Sequence, residues 1–182
     1  LAQILANGRT RCIKTASANG RRFVFAAGAG FDAQVVASIN PGLKRHAGKL
    51  AFVAAAAQQL MSAPRAMFQA SIDGSTHMAA GVIVMNGRYY GGPFVASPGN
   101  ELCNGTLCVL ALLHTGRRAA LCYQAALGLG RLHEAEGVTF FQGVRHVEVT
   151  GPDGGPFLAE VDHAGQLPVS IRADAGTVNI VC

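Results

Sequence analysis

Two carboxylates separated by one residue, Glu160 and Asp162, stand out in a chain of 182 residues with only ten Asp and Glu. If residues 156–161 form a strand that runs on through them, the period of two puts both acids on one face. One acid of such a pair can take a proton from a hydroxyl while the other binds a metal or orients the first. On this segment alone, an ordinary solvated strand face is the favoured reading.

A second chemical candidate is Asn86-Gly87-Arg88-Tyr89-Tyr90-Gly91-Gly92-Pro93, where two aromatics precede two glycines. The backbone there must turn sharply or lie open to a ligand. A third is Gly28-Ala29-Gly30-Phe31-Asp32-Ala33, a glycine-rich turn after an expected strand. It lacks the third glycine of a dinucleotide loop and no βαβ unit surrounds it. Asp32 either caps a helix start or orients a substrate hydroxyl. The five Cys (12, 103, 108, 122 and 182) contain no C-x2-C pair, and the six His show no H-E-x-x-H spacing. A structural zinc site is therefore not expected, and reduced thiols in a cytosolic setting are.

Charge narrows the partners. Residues 1–65 hold nine Lys or Arg against the single acid Asp32, while residues 66–182 hold six against nine. A cationic third of this kind suits a phosphate ligand or an acidic lipid surface, or is simply a solvated face. Nucleic acid is not expected, because the basic residues are scattered and no RNP-type or zinc-finger pattern occurs. Half the chain is hydrophobic and 14% is charged, which excludes a disordered protein. No apolar run approaches the roughly 18–20 residues of a spanning helix, and no signal peptide is legible over residues 1–14.

These residues need elements to hold them. Strands are expected at 10–17 and 21–29 around Asn19-Gly20, and at 66–73 and 78–86 around Asp73-Gly74. Further strands are expected at 106–113, 138–149, 156–161, 167–172 and 177–181. An Ala- and Leu-rich helix is expected at 47–63, ended by Pro64. A second, at 117–133, would put Leu121, Ala125, Leu129 and Leu132 on one face. Turns are expected around Tyr89 and Tyr90. Many short strands and two helices define an α+β, mostly β fold, dominated by a β-sandwich or open barrel.

The order of these motifs resembles the second, mostly β domain of the lipid kinases of the diacylglycerol kinase and sphingosine kinase superfamily. That domain has a strand into G-x-G-F-D-A, as at Gly28 to Ala33. It has a basic stretch K-x-x-G-x-x-A-Y, similar to Lys44 through Gly48 to Ala51-Phe52. It has N-x-x-Y-x-G-G and then A-P, similar to Asn86, Tyr89, Gly91, Gly92 and Ala96-Ser97-Pro98. Last comes a D-G-E strand before G-x-x-P, similar to Glu160 through Gly165 to Pro168. The resemblance covers essentially the whole chain.

The resemblance implies a β-sandwich-like C-terminal domain of the NAD kinase/diacylglycerol kinase fold, here a single domain over 1–182. The ATP-binding domain with its G-G-D-G-T loop would belong to a longer protein. It implies an ATP- and Mg²⁺-dependent transfer of phosphate to diacylglycerol or a similar lipid alcohol in phospholipid metabolism. It implies catalytic roles for Glu160 and Asp162, and substrate-binding roles for Gly30, Asp32, Asn86, Tyr89, Gly91 and Gly92. Lys44, Arg45 and Lys49 would face a membrane, with the protein cytoplasmic and peripheral at the inner membrane surface. A homodimer stays open. This chain alone should be inactive and bind neither ATP nor Mg²⁺. Two departures matter. Aligned without a gap from Gly165 and Pro168, Glu160 is the motif base and Val161 replaces the motif glycine; aligned from the strand side, Asp162 is the motif Asp and the following glycine and acid are missing before His163; and the relatives' structural Mg²⁺ acids are here Cys103, Asn104 and Cys108. A hard cation prefers oxygen ligands, so no Mg²⁺ is expected there. The alternatives are an inactive lipid-binding module and a kinase of the same fold with a soluble substrate such as NAD.

Overall fold

The computed structural model describes residues 8–30, 66–91, 93–151, 154–160 and 162–181. The expected helix 47–63, and with it Asp32, Lys44, Arg45 and Lys49, lies outside the described residues, as does Gly92.

Two hairpins form where Asn-Gly and Asp-Gly stand between apolar runs. Strands β1 (Thr10–Ala18) and β2 (Arg21–Phe23) pair with Ala18 opposite Arg21, and β4 (Phe68–Ile72) and β5 (Ser75–Ala79) pair with Ile72 opposite Ser75. Asn19, Gly20, Asp73 and Gly74 all have positive φ, from 45° to 89°. Such turns match the right-handed twist of the flanking strands.

The remaining strands are β3 (Ala26–Gly30), β6 (Gly81–Met85), β7 (Tyr89–Tyr90), β8 (Phe94–Val95), β9 (Leu107–Leu112), β10 (Val138–Val144), β11 (His146–Thr150), β12 (Pro156–Ala159), β13 (Asp162–Gln166) and β14 (Val169–Val181). They build two six-stranded sheets, one in the order β2-β1-β14-β11-β4-β5 and the other β10-β9-β6-β3-β12-β13. A two-stranded ribbon pairs β7 with β8.

The sheets face each other across a core that includes Ala16, Phe23, Phe68, Ile72, Val84, Val109, Val149, Phe157 and Ile171. A second core lies on the other face of the second sheet. There Ala26, Ile83, Met85, Cys108 and Leu110 meet Tyr123 of helix α1 (Arg117–Gly128) and Leu132 of a short 3-10 turn (Leu132–Glu134). The second sheet is thus covered on both sides, and its central strands read as unbroken apolar runs, as in Gly81-Val-Ile-Val-Met85. The result is the expected mostly β sandwich with one helix among the described residues.

Several element boundaries differ from expectation, for one recurring reason. The run 21–29 is two strands, because the chain leaves the first sheet after Phe23 and enters the second at Ala26. The run 78–86 breaks at Ala80, whose N–H donates to Leu112 O at 2.6 Å as the chain crosses between sheets. The run 138–149 breaks at Arg145, whose N–H donates to the Asp73 carboxylate at 3.1 Å. Residues 167–172 and 177–181 instead join in the single strand β14, with an irregularity against β1 between Thr15 and Ser17.

Gly28 to Gly30 is strand, not turn, and is fully buried. A Cβ on Gly30, at φ +107°, would sit 2.6 Å from Gly81 Cα and 2.8 Å from Ala80 O. The close approach of two backbones, rather than a ligand loop, requires this glycine.

The helix also differs. It ends at Gly128, and its buried residues are Ala120 and Tyr123. Leu121 and Leu129 are exposed, and of the expected face only Leu132, beyond the helix, is buried. The Tyr123 hydroxyl explains the choice. It donates to Gly137 O at 2.9 Å and accepts from His114 N at 3.1 Å. Its large ring carries more apolar area than a leucine and its polar tip is satisfied.

Candidate functional site

The crossover Val24–Phe25, between β2 and β3, is the point on which the candidate residues converge. Glu160 forms the turn between β12 and β13 with φ 65°. This conformation is uncommon for a residue with a side chain, and three hydrogen bonds hold it. Its N–H donates to Ala26 O at 2.7 Å. Its Oε1 accepts from Phe25 N at 3.1 Å and also from Val24 N.

Asn86 follows β6 and is 1% exposed. Its Nδ2 donates to Val24 O at 2.7 Å and to Lys14 O at 2.9 Å, while its N–H donates to Phe25 O at 2.8 Å. Its Oδ1 finds no hydrogen-bond partner among the described residues. Glu160 and Asn86 therefore grip one dipeptide by complementary means. The acid holds its N–H groups and the amide holds its carbonyl side. Asn100, also buried, steadies the start of this loop with Nδ2 on Met85 O at 3.0 Å.

The expected placement of the two acids on one strand face is not what forms. Glu160 is in a turn, and Asp162 begins β13, opposite Ala159 of β12, with an exposed side chain. The strand ends early because Glu160 takes the left-handed conformation that reverses the chain.

Tyr89 and Tyr90 form a strand of the ribbon, with the expected bends at Asn86-Gly87 and at Gly91 on either side. Tyr89 is exposed, with the Arg88 guanidinium 5.2 Å from its ring centroid, and Arg88 also reaches Glu101 at 3.6 Å. Gly91 follows it with φ 61° and open space around it. Gly30 is at the opposite end of β3 from Ala26, roughly 13 Å along the strand, so it is not part of this convergence. Of the expected residues, the structure joins Glu160 and Asn86, sets Asp162 two residues on, and leaves Gly30 apart. Sequence reading missed Val24, Phe25, Lys14 and Asn100. Only Asn100 carried a signal, as a polar residue beside a Pro-Gly turn.

The positions corresponding to relatives' structural Mg²⁺ site do not fit that ion. Cys108 is 3% exposed in the second core, and burial pushes its thiol pKa up, which keeps it neutral. Cys103 is exposed, with Sγ 3.9 Å from Arg11 Nη2, where a cation already stands. Only Asn104 offers an oxygen, and its side chain is drawn into contacts with Cys103 and Gly99 O. Among the described residues, no three of His, Cys, Asp and Glu converge as metal ligands. No helix of the described residues is long and apolar enough to cross a membrane.

Two facing sheets, a helix on the outer face of one, and acids at a strand corner define a β-sandwich domain of the NAD kinase type. The chain belongs to the family described as the YegS C-terminal NAD kinase beta sandwich-like domain, whose model matches residues 26–182. Solved structures share the fold. One, a provisionally assigned diacylglycerol kinase from Bacillus anthracis str. Sterne, is 16% identical with a TM-score of 0.69, over 99% of this chain and 59% of the other. Another, described as a diacylglycerol kinase from the same organism, is 17% identical with a TM-score of 0.62, over 97% of this chain and 56% of the other. The chain thus spans somewhat over half the length of the solved chains it resembles. No curated protein matches it.

Proposed function

We propose that this domain is the lipid-acting part of an ATP-dependent lipid kinase that phosphorylates diacylglycerol or a similar lipid alcohol. Family membership and the motif order support this reading. The observation that carries it to particular residues is Glu160, held in an uncommon backbone conformation by three hydrogen bonds to Val24, Phe25 and Ala26. Backbone strain held by surrounding bonds is a mark of functional positions.

In this reading Asp162, exposed beside that turn, receives the proton of the lipid hydroxyl. The hydroxyl oxygen forms a bond to the γ-phosphorus of ATP, and the bond from that phosphorus to the bridging oxygen breaks, releasing ADP. Glu160 acts as a positioning residue, because its Oε1 is engaged with the crossover backbone. Asn86 fixes the same crossover from its carbonyl side. Mg²⁺ bound with ATP outside this chain would supply neutralisation of the phosphate charge. ATP would be held by a domain outside this chain, and the protein would work at the cytoplasmic membrane surface.

The test is phosphate transfer from labelled ATP to diacylglycerol by the full-length protein. Asp162→Asn is expected to lower kcat at least about a hundredfold with little change in melting temperature. Retention of full turnover by Asp162→Asn would remove the proton-acceptor role. Absence of transfer to any lipid alcohol, or transfer to NAD alone, would remove the lipid kinase reading. Val161, in place of the motif glycine, favours a second reading, a catalytically inactive lipid-binding module. That reading predicts lipid binding without turnover.

A further inference from the structure

Phe25 is a large apolar side chain displayed where the backbone is least free. It is 48% exposed, yet its peptide groups are held on both sides. Its N–H donates to Glu160 Oε1 at 3.1 Å, and its carbonyl accepts from Asn86 N at 2.8 Å and Gly87 N at 3.3 Å. Leu102 stands beside it. A Cβ built on Gly87 would lie 3.7 Å from Phe25 Cδ1 and 2.9 Å from Leu102 Cδ2, so both side chains border one point over that glycine. Leu102 is half-buried, and its carbonyl accepts from Lys14 N at 2.7 Å. Hydrophobic residues scattered singly over a surface need no explanation. Two that border one point on fixed backbone, against the residue that Glu160 grips, are a different case.

The hydrogen bonds of the crossover decide what can lie against this ring. The N–H groups of Val24 and Phe25 are both taken by Glu160 Oε1. Val24 O accepts from Asn86 Nδ2 at 2.7 Å, and Phe25 O is occupied twice. The backbone at Phe25 therefore has little left with which to read the polar edge of a nucleobase, a nicotinamide or a sugar. Such a group seated here would bury donors and acceptors without partners, which weakens binding. Hydrocarbon asks only for apolar area, and the Phe25 ring and the Leu102 side chain supply it.

We infer that Phe25, with Leu102, takes the hydrocarbon next to the acceptor hydroxyl and so selects a lipid alcohol over a polar one. The inference rests on the lipid kinase reading above and deepens it, by naming the side chains that tell acceptors apart. Phe25 moves no proton, and its role is specificity. Glu160 and Asn86 serve it twice, because the bonds that fix the crossover also use up the polar groups that would admit a polar acceptor.

The 182-residue chain contains no Trp, so Phe25→Trp makes a lone reporter. Its emission is expected to shift to shorter wavelength on titration with dihexanoylglycerol, and to stay in place with glycerol 3-phosphate or NAD. Phe94→Trp, at an exposed position of β8 outside the convergence, should not respond. In the full-length protein, Phe25→Ser should raise KM for dihexanoylglycerol about tenfold or more, with little change in kcat or in KM for ATP. Phe25→Leu should recover most of that loss. The position is exposed, so circular dichroism should show unchanged melting. Three results would overturn the inference: an emission of Phe25→Trp that dihexanoylglycerol leaves in place; an equal response to NAD or in Phe94→Trp; or an unchanged KM in Phe25→Ser. The emission is read without ATP, which separates the two readings. A lipid-induced shift without phosphate transfer by the full-length protein would remove the kinase reading and keep the contact. Transfer to diacylglycerol without the shift would do the reverse.

Discussion

The two sheets have six strands each and serve opposite purposes. In the first sheet, β4 alternates buried and accessible positions, and β11 does the same, so one face is wet. In the second, β3 and β6 are buried at every position, and β9 at all but its last. The first sheet behaves as a wall and the second as a filled middle layer. The convergence of Glu160 and Asn86 is anchored in the second, where backbone position is most constrained. The proposed positioning role of Glu160 would draw on such a rigid support.

The sharpest way to probe that contrast is to add one methyl group to each sheet. Gly30→Ala in the second sheet meets backbone atoms at 2.6 and 2.8 Å. It should cost about 3–5 kcal/mol in urea unfolding, from left-handed strain plus overpacking. Gly74→Ala, in the hairpin turn of the first sheet, meets nothing within 4 Å, and should cost only about 1–2 kcal/mol. Equal losses would mean that the second sheet yields more readily than its packing implies.

Glu160→Ala should cost about 2–3 kcal/mol, because two backbone N–H groups lose a charged acceptor. Glu160→Gln keeps an acceptor oxygen and should recover most of that loss. Asp162→Ala should change stability by less than about 0.5 kcal/mol, although the proposed reaction draws on both acids.

A smaller effect is expected from Tyr123→Phe, about 1 kcal/mol at neutral pH. Burial raises the Tyr123 pKa above its ordinary value of 10.0. The folded state therefore keeps this proton longer than the unfolded chain does. The stability it contributes is complete below pH 10 and declines as pH rises beyond that. The Tyr123→Phe variant should show a shallower alkaline loss in melting temperature above about pH 10. Least of all, Glu148→Gln on the wet face of the first sheet should shift stability by less than about 0.5 kcal/mol.

The fold class was legible because the turns announce themselves. Asn19-Gly20 and Asp73-Gly74 bound apolar runs and form as hairpins. The crossings between sheets were not legible. At Val24–Phe25, Ala80 and Arg145 the apolar pattern continues while the hydrogen-bonding neighbours change. Alternation records which side of a strand is buried, not which strand lies next to it. The helix face misled because three leucines outweigh one tyrosine in a periodicity count, yet the tyrosine has a hydroxyl to satisfy. Glu160 and Asn86 were legible as residue types. Their meeting was not, since nothing in a sequence 74 positions apart shows that both bind the same dipeptide.

Cys108 offers something more than a missing metal ligand. It lies in the middle of the three-layer stack, whereas Cys12, Cys103 and Cys122 stand at the surface. In a thiol-labelling experiment the surface three should react at once, and Cys108 only when the helix side of the sheet opens. The chain thus contains its own stopwatch for that opening. With Cys12, Cys103, Cys122 and Cys182 replaced by Ser, the labelling rate of Cys108 would time how often the layers part.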